Sequence, residues 1–118
     1  MTEQEIKFDL IYKGDHAFHH KKYYLCELMI GINKICDIHS FMDLVAKRQY
    51  VGRKDNNGVE IYERDILLDE NKLLWVVDFY NGFFRARNPK DELDFVLLDD
   101  YDFQIIGNVY ENPELLKD

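Results

Sequence analysis

A chain of 118 residues fits one domain at roughly 100–200 residues per domain, and 47% hydrophobic content supports a buried core rather than disorder. The net charge of −8 is concentrated at the end: residues 89–118 hold nine acids against two lysines, Lys90 and Lys117, while the first 88 are near balance. That acidity disfavours nonspecific binding of phosphate backbones. No apolar run approaches the ~20 residues of a membrane span, and residues 1–5 are acidic and polar rather than basic and then apolar, so a cytoplasmic protein is expected. Cys26 and Cys36 sit in apolar company and read as reduced, buried side chains rather than a disulfide framework.

In chain order, Ile6, Phe8, Leu10 and Tyr12 alternate with more polar residues, the period of a half-buried strand. Lys13-Gly14-Asp15 ends it as a turn, and residues 16–22 are polar enough to predict a loop. Residues 23–38 read as a hairpin turning at Gly31-Ile32-Asn33. Ser40 is placed to cap a short helix over residues 41–48, with Asp43 three residues on and Lys47-Arg48 in the last turn. Asp55-Asn56-Asn57-Gly58 then predicts a two-residue turn with positive φ at both central positions, joining residues 49–52 to 59–62. Strands follow over residues 65–68, 73–79, 83–87, 93–98 and 103–109, with Asn81-Gly82 as a second hairpin turn and residues 88–92 as a loop. Asn112-Pro113-Glu114 predicts an N-capped helical turn through Leu116. Short strands at this spacing predict a mainly β domain, a small barrel or sandwich with one or two short helices. Residues 1–48 form an N-terminal layer beside a module over residues 50–117, and that module's strands are expected to pair with sequence neighbours.

The run Val51-Gly52-Arg53-Lys54-Asp55-Asn56-Asn57-Gly58-Val59-Glu60-Ile61-Tyr62-Glu63-Arg64-Asp65-Ile66-Leu67 resembles the opening block of the YopX family of phage and prophage proteins. Residues 106–116, Ile-Gly-Asn-Val-Tyr-Glu-Asn-Pro-Glu-Leu-Leu, resemble its closing hallmark, so the resemblance covers residues 50–117. Arg64 stands where the family usually has glycine, and the first 48 residues match only loosely. The resemblance implies a β-barrel-like fold, a phage or prophage origin and a homo-oligomer, and it carries no catalytic residues. Physically, Gly52, Gly58 and Gly107 read as backbone-permissive positions. Asp65 reads as a local backbone acceptor with Asn108 in a similar role.

Candidate chemistry is sparse. His16, His19 and His20 with Asp15, and His39 beyond, fall short of a structural zinc pattern. Asp91, Glu92, Asp94, Asp99, Asp100 and Asp102 lack the EF-hand order and read as a solvated acidic face. Glu63 and Asp65 fall on one face if extended, yet nothing else suggests a cleft. No nucleophile elbow, phosphate loop, dinucleotide fingerprint or zinc-protease motif occurs. The expectation is therefore a noncatalytic protein with no cofactor and no bound metal.

Phe83 and Phe84 cannot both face inward from one strand. One of them, with Tyr80 and the acids of residues 91–102, is expected to contact a host or phage protein, because exposed aromatics favour interfaces and negative potential steers basic surfaces. The alternative is a nucleic-acid-binding module using Lys47, Arg48, Arg53, Lys54 and Arg64.

Overall fold

The computed structural model describes residues 6–24 and 43–117, in two compact units, residues 1–50 and 51–118. In the first, strand β1 (Lys7–Lys13) pairs antiparallel with β2 (Phe18–Tyr24) on one side and β3 (Asp43–Lys54) on the other. Phe8, Leu10 and Tyr12 alternate onto one face and form a small core with Tyr23. The opposite face of β1 buries Asp9 and Ile11 completely.

Two expectations fail in this unit. The polar stretch read as a loop is largely strand: His19, His20, Lys21 and Lys22 all lie in β2 and pair along β1. Its exposed side chains carry no hydrophobic period, so pairing, not burial, makes it a strand. Where a helix was expected over residues 41–48, the chain is extended from Asp43 onward, with Phe8 opposite Gln49 and Leu10 opposite Lys47. A ladder along β1 outweighs the capping pattern, as tertiary pairing commonly overrides weak helix propensity. The hairpin expected over residues 23–38, apart from Tyr23 and Tyr24, and Ser40, Cys26, Cys36 and His39 lie outside the described residues.

The second unit takes the end of β3, then β4 (Glu60–Tyr62), β5 (Asp65–Leu68), β6 (Leu74–Tyr80), β7 (Phe83–Asn88), β8 (Asp91–Leu97), β9 (Gln104–Asn108) and a 3-10 turn, η1 (Pro113–Leu116). The strand orders are β2-β1-β3-β4 and β8-β7-β6-β5-β9. The protein is thus mainly β, with two antiparallel sheets, and neither closes into a barrel among the described residues. β5 to β8 pair with sequence neighbours, whereas β9 returns to pair outside β5. Alternation along these strands buries Ile61, Leu67, Trp75, Val77, Ala86 and Phe103 in one core, the large side chains contributing ~1.5–3 kcal/mol each. The segment read as a loop over residues 88–92 shrinks to Pro89-Lys90, since β8 begins at Asp91.

One loop design occurs twice. Asp55 Oδ1 accepts the amides of Asn57 and Val59, and Asp69 Oδ1 accepts those of Asn71 and Leu73, all at 2.8–2.9 Å. In each, the aspartate amide donates to the carbonyl four residues on, and the residue three on donates back to the aspartate carbonyl. The residue three positions on has positive φ: Gly58 at 82° and Lys72 at 66°. Positive φ at residues 55–58 is thus confined to Gly58, unlike the two-position turn expected there. Asn81 and Gly82, at 50° and 88°, do supply both. The second oxygens tie each loop further, Asp55 Oδ2 to the Ile105 amide and Asp69 Oδ2 to Trp75 Nε1.

The two hallmark blocks meet where β5 and β9 pair, with Asp65 opposite Asn108. Asp65 Oδ2 accepts the Tyr62 amide at 2.8 Å, and Asn108 Oδ1 accepts those of Tyr110 and Glu111. Both therefore serve the backbone, as expected. Glu63 and Arg64 form the turn before β5 rather than an extended run, so Glu63 and Asp65 are not a carboxylate pair on one strand face. Asn112 does not cap η1 with its side chain; its Oδ1 accepts the Asn108 amide instead, at 3.2 Å. Gly107 is outside the positive-φ region, unlike Gly52 and Gly58. Its requirement is space, since an added Cβ would lie 2.5 Å from Asn112 Oδ1.

Arg64 holds φ at 68°, a left-handed conformation costing a non-glycine residue ~1–2 kcal/mol. Its amide donates to the Val77 carbonyl and its carbonyl accepts the Val109 amide, which fixes that backbone. Arg64→Gly is expected to be neutral to stabilising, by up to about 1 kcal/mol after the unfolded-state entropy of glycine is subtracted. Urea denaturation followed by fluorescence measures it, and clear destabilisation would contradict the reading.

Candidate functional site

The register of β6, β7 and β8 sorts their side chains onto two faces. Phe84 and Ala86 lie on the core side, Phe84 edge-on to Phe79 at 4.9 Å between centroids. Phe83, Arg85 and Arg87 lie on the other, beside Tyr80, Asp78 and Val76 of β6 and Phe95 and Leu97 of β8. The adjacent phenylalanines do point apart. Both are half-buried, and Phe83 packs 6.0 Å from Phe95.

Arg85 is the centre of this outer face and only 4% exposed. Its Nε donates to Asp78 Oδ1 at 2.8 Å, and Nη1 reaches the Glu92 carbonyl at 3.3 Å. Its guanidinium lies 4.2 Å from the Tyr80 ring centroid and 4.9 Å from that of Phe95. Such stacking suits an arginine held at an interface. Arg87 Nε donates to the other oxygen of Asp78 at 3.0 Å. Burial pushes the Asp78 carboxyl up, but hydrogen bonds and charge from Arg85 and Arg87 outweigh it and hold Asp78 below the usual carboxylate range. Both guanidinium groups share the one Asp78 carboxylate, and exposed Tyr80, Phe95 and Leu97 lie around them as a collar.

β8 completes that collar. Among the described residues it is an edge strand, and between Arg87–Phe95 and Asn88–Asp91 it carries three residues with no partner on β7. That bulge throws Leu93 out to 90% exposure, with Phe95 at 39% and Leu97 at 46%. Bulged edges re-aim side chains and resist indiscriminate strand pairing. Tyr80 and Phe79 are also exposed. Leu93, Phe95, Leu97 and Arg85 escaped the sequence reading. The alternation of Leu93, Phe95 and Leu97 inside an acidic stretch was the available signal.

Among the acids, Asp91 Oδ1 accepts the Leu93 amide and Asp94 accepts from the Asn88 side chain. Glu92 offers its carbonyl to Arg85. Asp99 pairs with Arg53 at 2.7 Å between exposed side chains, while Asp100 and Asp102 are exposed between β8 and β9. The basic residues are not gathered as one phosphate-facing set. Arg48 is buried, donating to Asp9 Oδ2 at 2.7 Å, the oxygen that also meets His20 Nδ1 at 2.7 Å. Lys47, Lys54 and Arg64 are exposed, and Arg53 faces Asp99. His19 and His20 project to opposite faces of β2. Among the described residues no cluster of histidine, cysteine and carboxylate side chains is placed to hold a metal ion, and no helix is long and apolar enough to cross a membrane.

The chain matches the family model described as YopX protein over residues 2–117, so the likeness includes the first half as well as residues 50–117. No curated protein matches. Among solved structures, the crystal structure of protein EF1440 from Enterococcus faecalis is similar in fold, with 24% identity and a TM-score of 0.50, covering 92% of this chain and 76% of that one. With the match spanning nearly the whole sequence and the hallmark blocks paired through β5 and β9, the chain belongs to the YopX family.

Proposed function

We propose that this protein is a noncatalytic, phage- or prophage-encoded accessory protein of the host cytoplasm that acts by binding another protein through the outer face of β6, β7 and β8. The observation that carries this reading is the collar of Tyr80, Phe95, Leu97 and Leu93 around a buried Arg85 bonded to Asp78. Contiguous exposed apolar groups rimmed by polar residues mark protein contact sites. Asp91, Glu92 and Asp94 at its margin suit a partner with a basic rim, which they would steer and orient more than tighten. Family membership supports the phage origin and a homo-oligomeric assembly. The nucleic-acid alternative loses support from Arg48, which is buried on Asp9.

Affinity capture from a bacterial host lysate, at low and raised salt, tests the reading. Wild-type protein is expected to retain a partner that the Leu93→Ser/Leu97→Ser double variant loses and that salt weakens. Both leucines are exposed and outside the core, so thermal stability should be unchanged. Capture indifferent to both changes would contradict the proposal, and a one-chain mass in light scattering would count against the oligomer.

A further inference from the structure

A pocket of roughly 270 Å³ opens in the second unit and shares Asp94 with the margin of the collar. Its apolar lining includes Leu74, Trp75, Pro89 and Leu116, and one carboxylate lines it too, Asp94, whose Oδ2 accepts the Asn88 side-chain amide. Three separate segments each bring a lysine to it: Lys72 from the β5–β6 loop, Lys90 from the β7–β8 turn and Lys117 after η1. Lys90 and Lys117 are the only basic residues in the last thirty positions, where acids number nine. Their convergence runs against the local charge.

Lys72 adds an independent observation. It occupies, at φ 66°, the position that Gly58 fills in the matching Asp55 loop. A lysine thus stands where glycine would fit without strain, and strained backbone tends to persist at ligand clamps. The same sequence choice that strains the loop places a lysine in the lining of the pocket. Lysines act as point charges suited to phosphate, whereas planar recognition of carboxylate favours arginine. The volume lies just under the ~300–1,000 Å³ usual for ligand pockets, and the lining calls for an apolar body.

We propose that this pocket binds a small organic phosphate, its phosphate held by Lys72, Lys90 and Lys117 and its apolar body resting against Leu74, Pro89 and Leu116. The pocket adjoins the proposed docking face through Asp94, but the proposal does not rest on that reading.

Trp75 is the single tryptophan of the chain, so its emission reports on the pocket. The full chain is titrated with hexyl phosphate, adenosine monophosphate, adenosine and inorganic phosphate, with affinities measured by calorimetry. One or both organic phosphates should saturate, and their ranking tells an aliphatic from a nucleoside body. Adenosine and inorganic phosphate should each bind at least about tenfold more weakly than the better one. Lys72→Gly should weaken that ligand about tenfold while raising Tm, so the loss cannot be ascribed to unfolding. Lys90→Ala with Lys117→Ala should weaken it further. No saturation by either organic phosphate, equal affinity for inorganic phosphate, or full binding by Lys72→Gly would each overturn the proposal.

Discussion

Asp69→Ala is expected to destabilise the protein by about 3 kcal/mol, among the largest effects of any single surface-loop substitution here. The carboxylate accepts the amides of Asn71 and Leu73 and the indole N–H of Trp75. Trp75 is only 6% exposed and belongs to the main core, so its donor would be stranded without water. Burial pushes the Asp69 carboxyl up, but the Trp75, Leu73 and Asn71 hydrogen bonds outweigh it and leave the group below its ordinary value of 3.8. A folded pKa below the unfolded one stabilises the protein above the unfolded value, and that stability is lost as pH falls through the folded pKa. Urea unfolding followed by Trp75 emission should therefore show the full difference from wild type at neutral pH and a shrinking difference below about pH 4. A difference under about 1 kcal/mol at neutral pH, or one that grows in acid, would contradict this role.

Gly107→Ala is expected to cost about 2–3 kcal/mol by overpacking. The added methyl would stand 2.5 Å from Asn112 Oδ1 and 2.7 Å from its Cγ. Asn112 cannot simply withdraw, because its side chain accepts the Asn108 amide and its own amide donates to the Asn108 carbonyl. Asn112→Gly, which removes the clash, should restore part of the loss when combined with Gly107→Ala, a coupling readable from a double-mutant cycle. Additive effects of the two changes would show that the contact is not the cause. These substitutions probe the closing hallmark itself, whose run Gly107-Asn108 to Asn112-Pro113 is held together by local hydrogen bonds.

Much of the second unit was legible because burial leaves a period in the sequence. Trp75 and Val77, or Ala86 between Arg85 and Arg87, alternate in type along their strands, although Val76 and Arg85 are buried on the opposite face. The first unit shows where that signal fails. His19 to Lys22 are exposed in β2, so no hydrophobic alternation marks them, and pairing to β1 makes them extended. Residues 43–48 combine an acid after Ser40 with basic residues ahead, which imitates a capped helix, yet β1 takes them as its neighbour. Asp55 stands in a legible turn, but the loop design it shares with Asp69 is not visible in the sequence, since it depends on which amides each carboxylate reaches. The proposed docking face was half legible. Tyr80, Phe83 and the acids stood out by type, whereas Arg85 depends on a cross-strand partner at Asp78, and Leu93 owes its exposure to a bulge that no local pattern announces. Lys72, Lys90 and Lys117 are far apart in sequence and meet only through topology.

Amide hydrogen exchange across residues 91–97 tests the docking face most directly, compared between the isolated protein and its complex with the captured partner. The bulged edge strand should exchange quickly alone and slow by at least about tenfold in the complex, with β2 unchanged. Exchange over residues 91–97 that is the same in both states would contradict the assignment of this face.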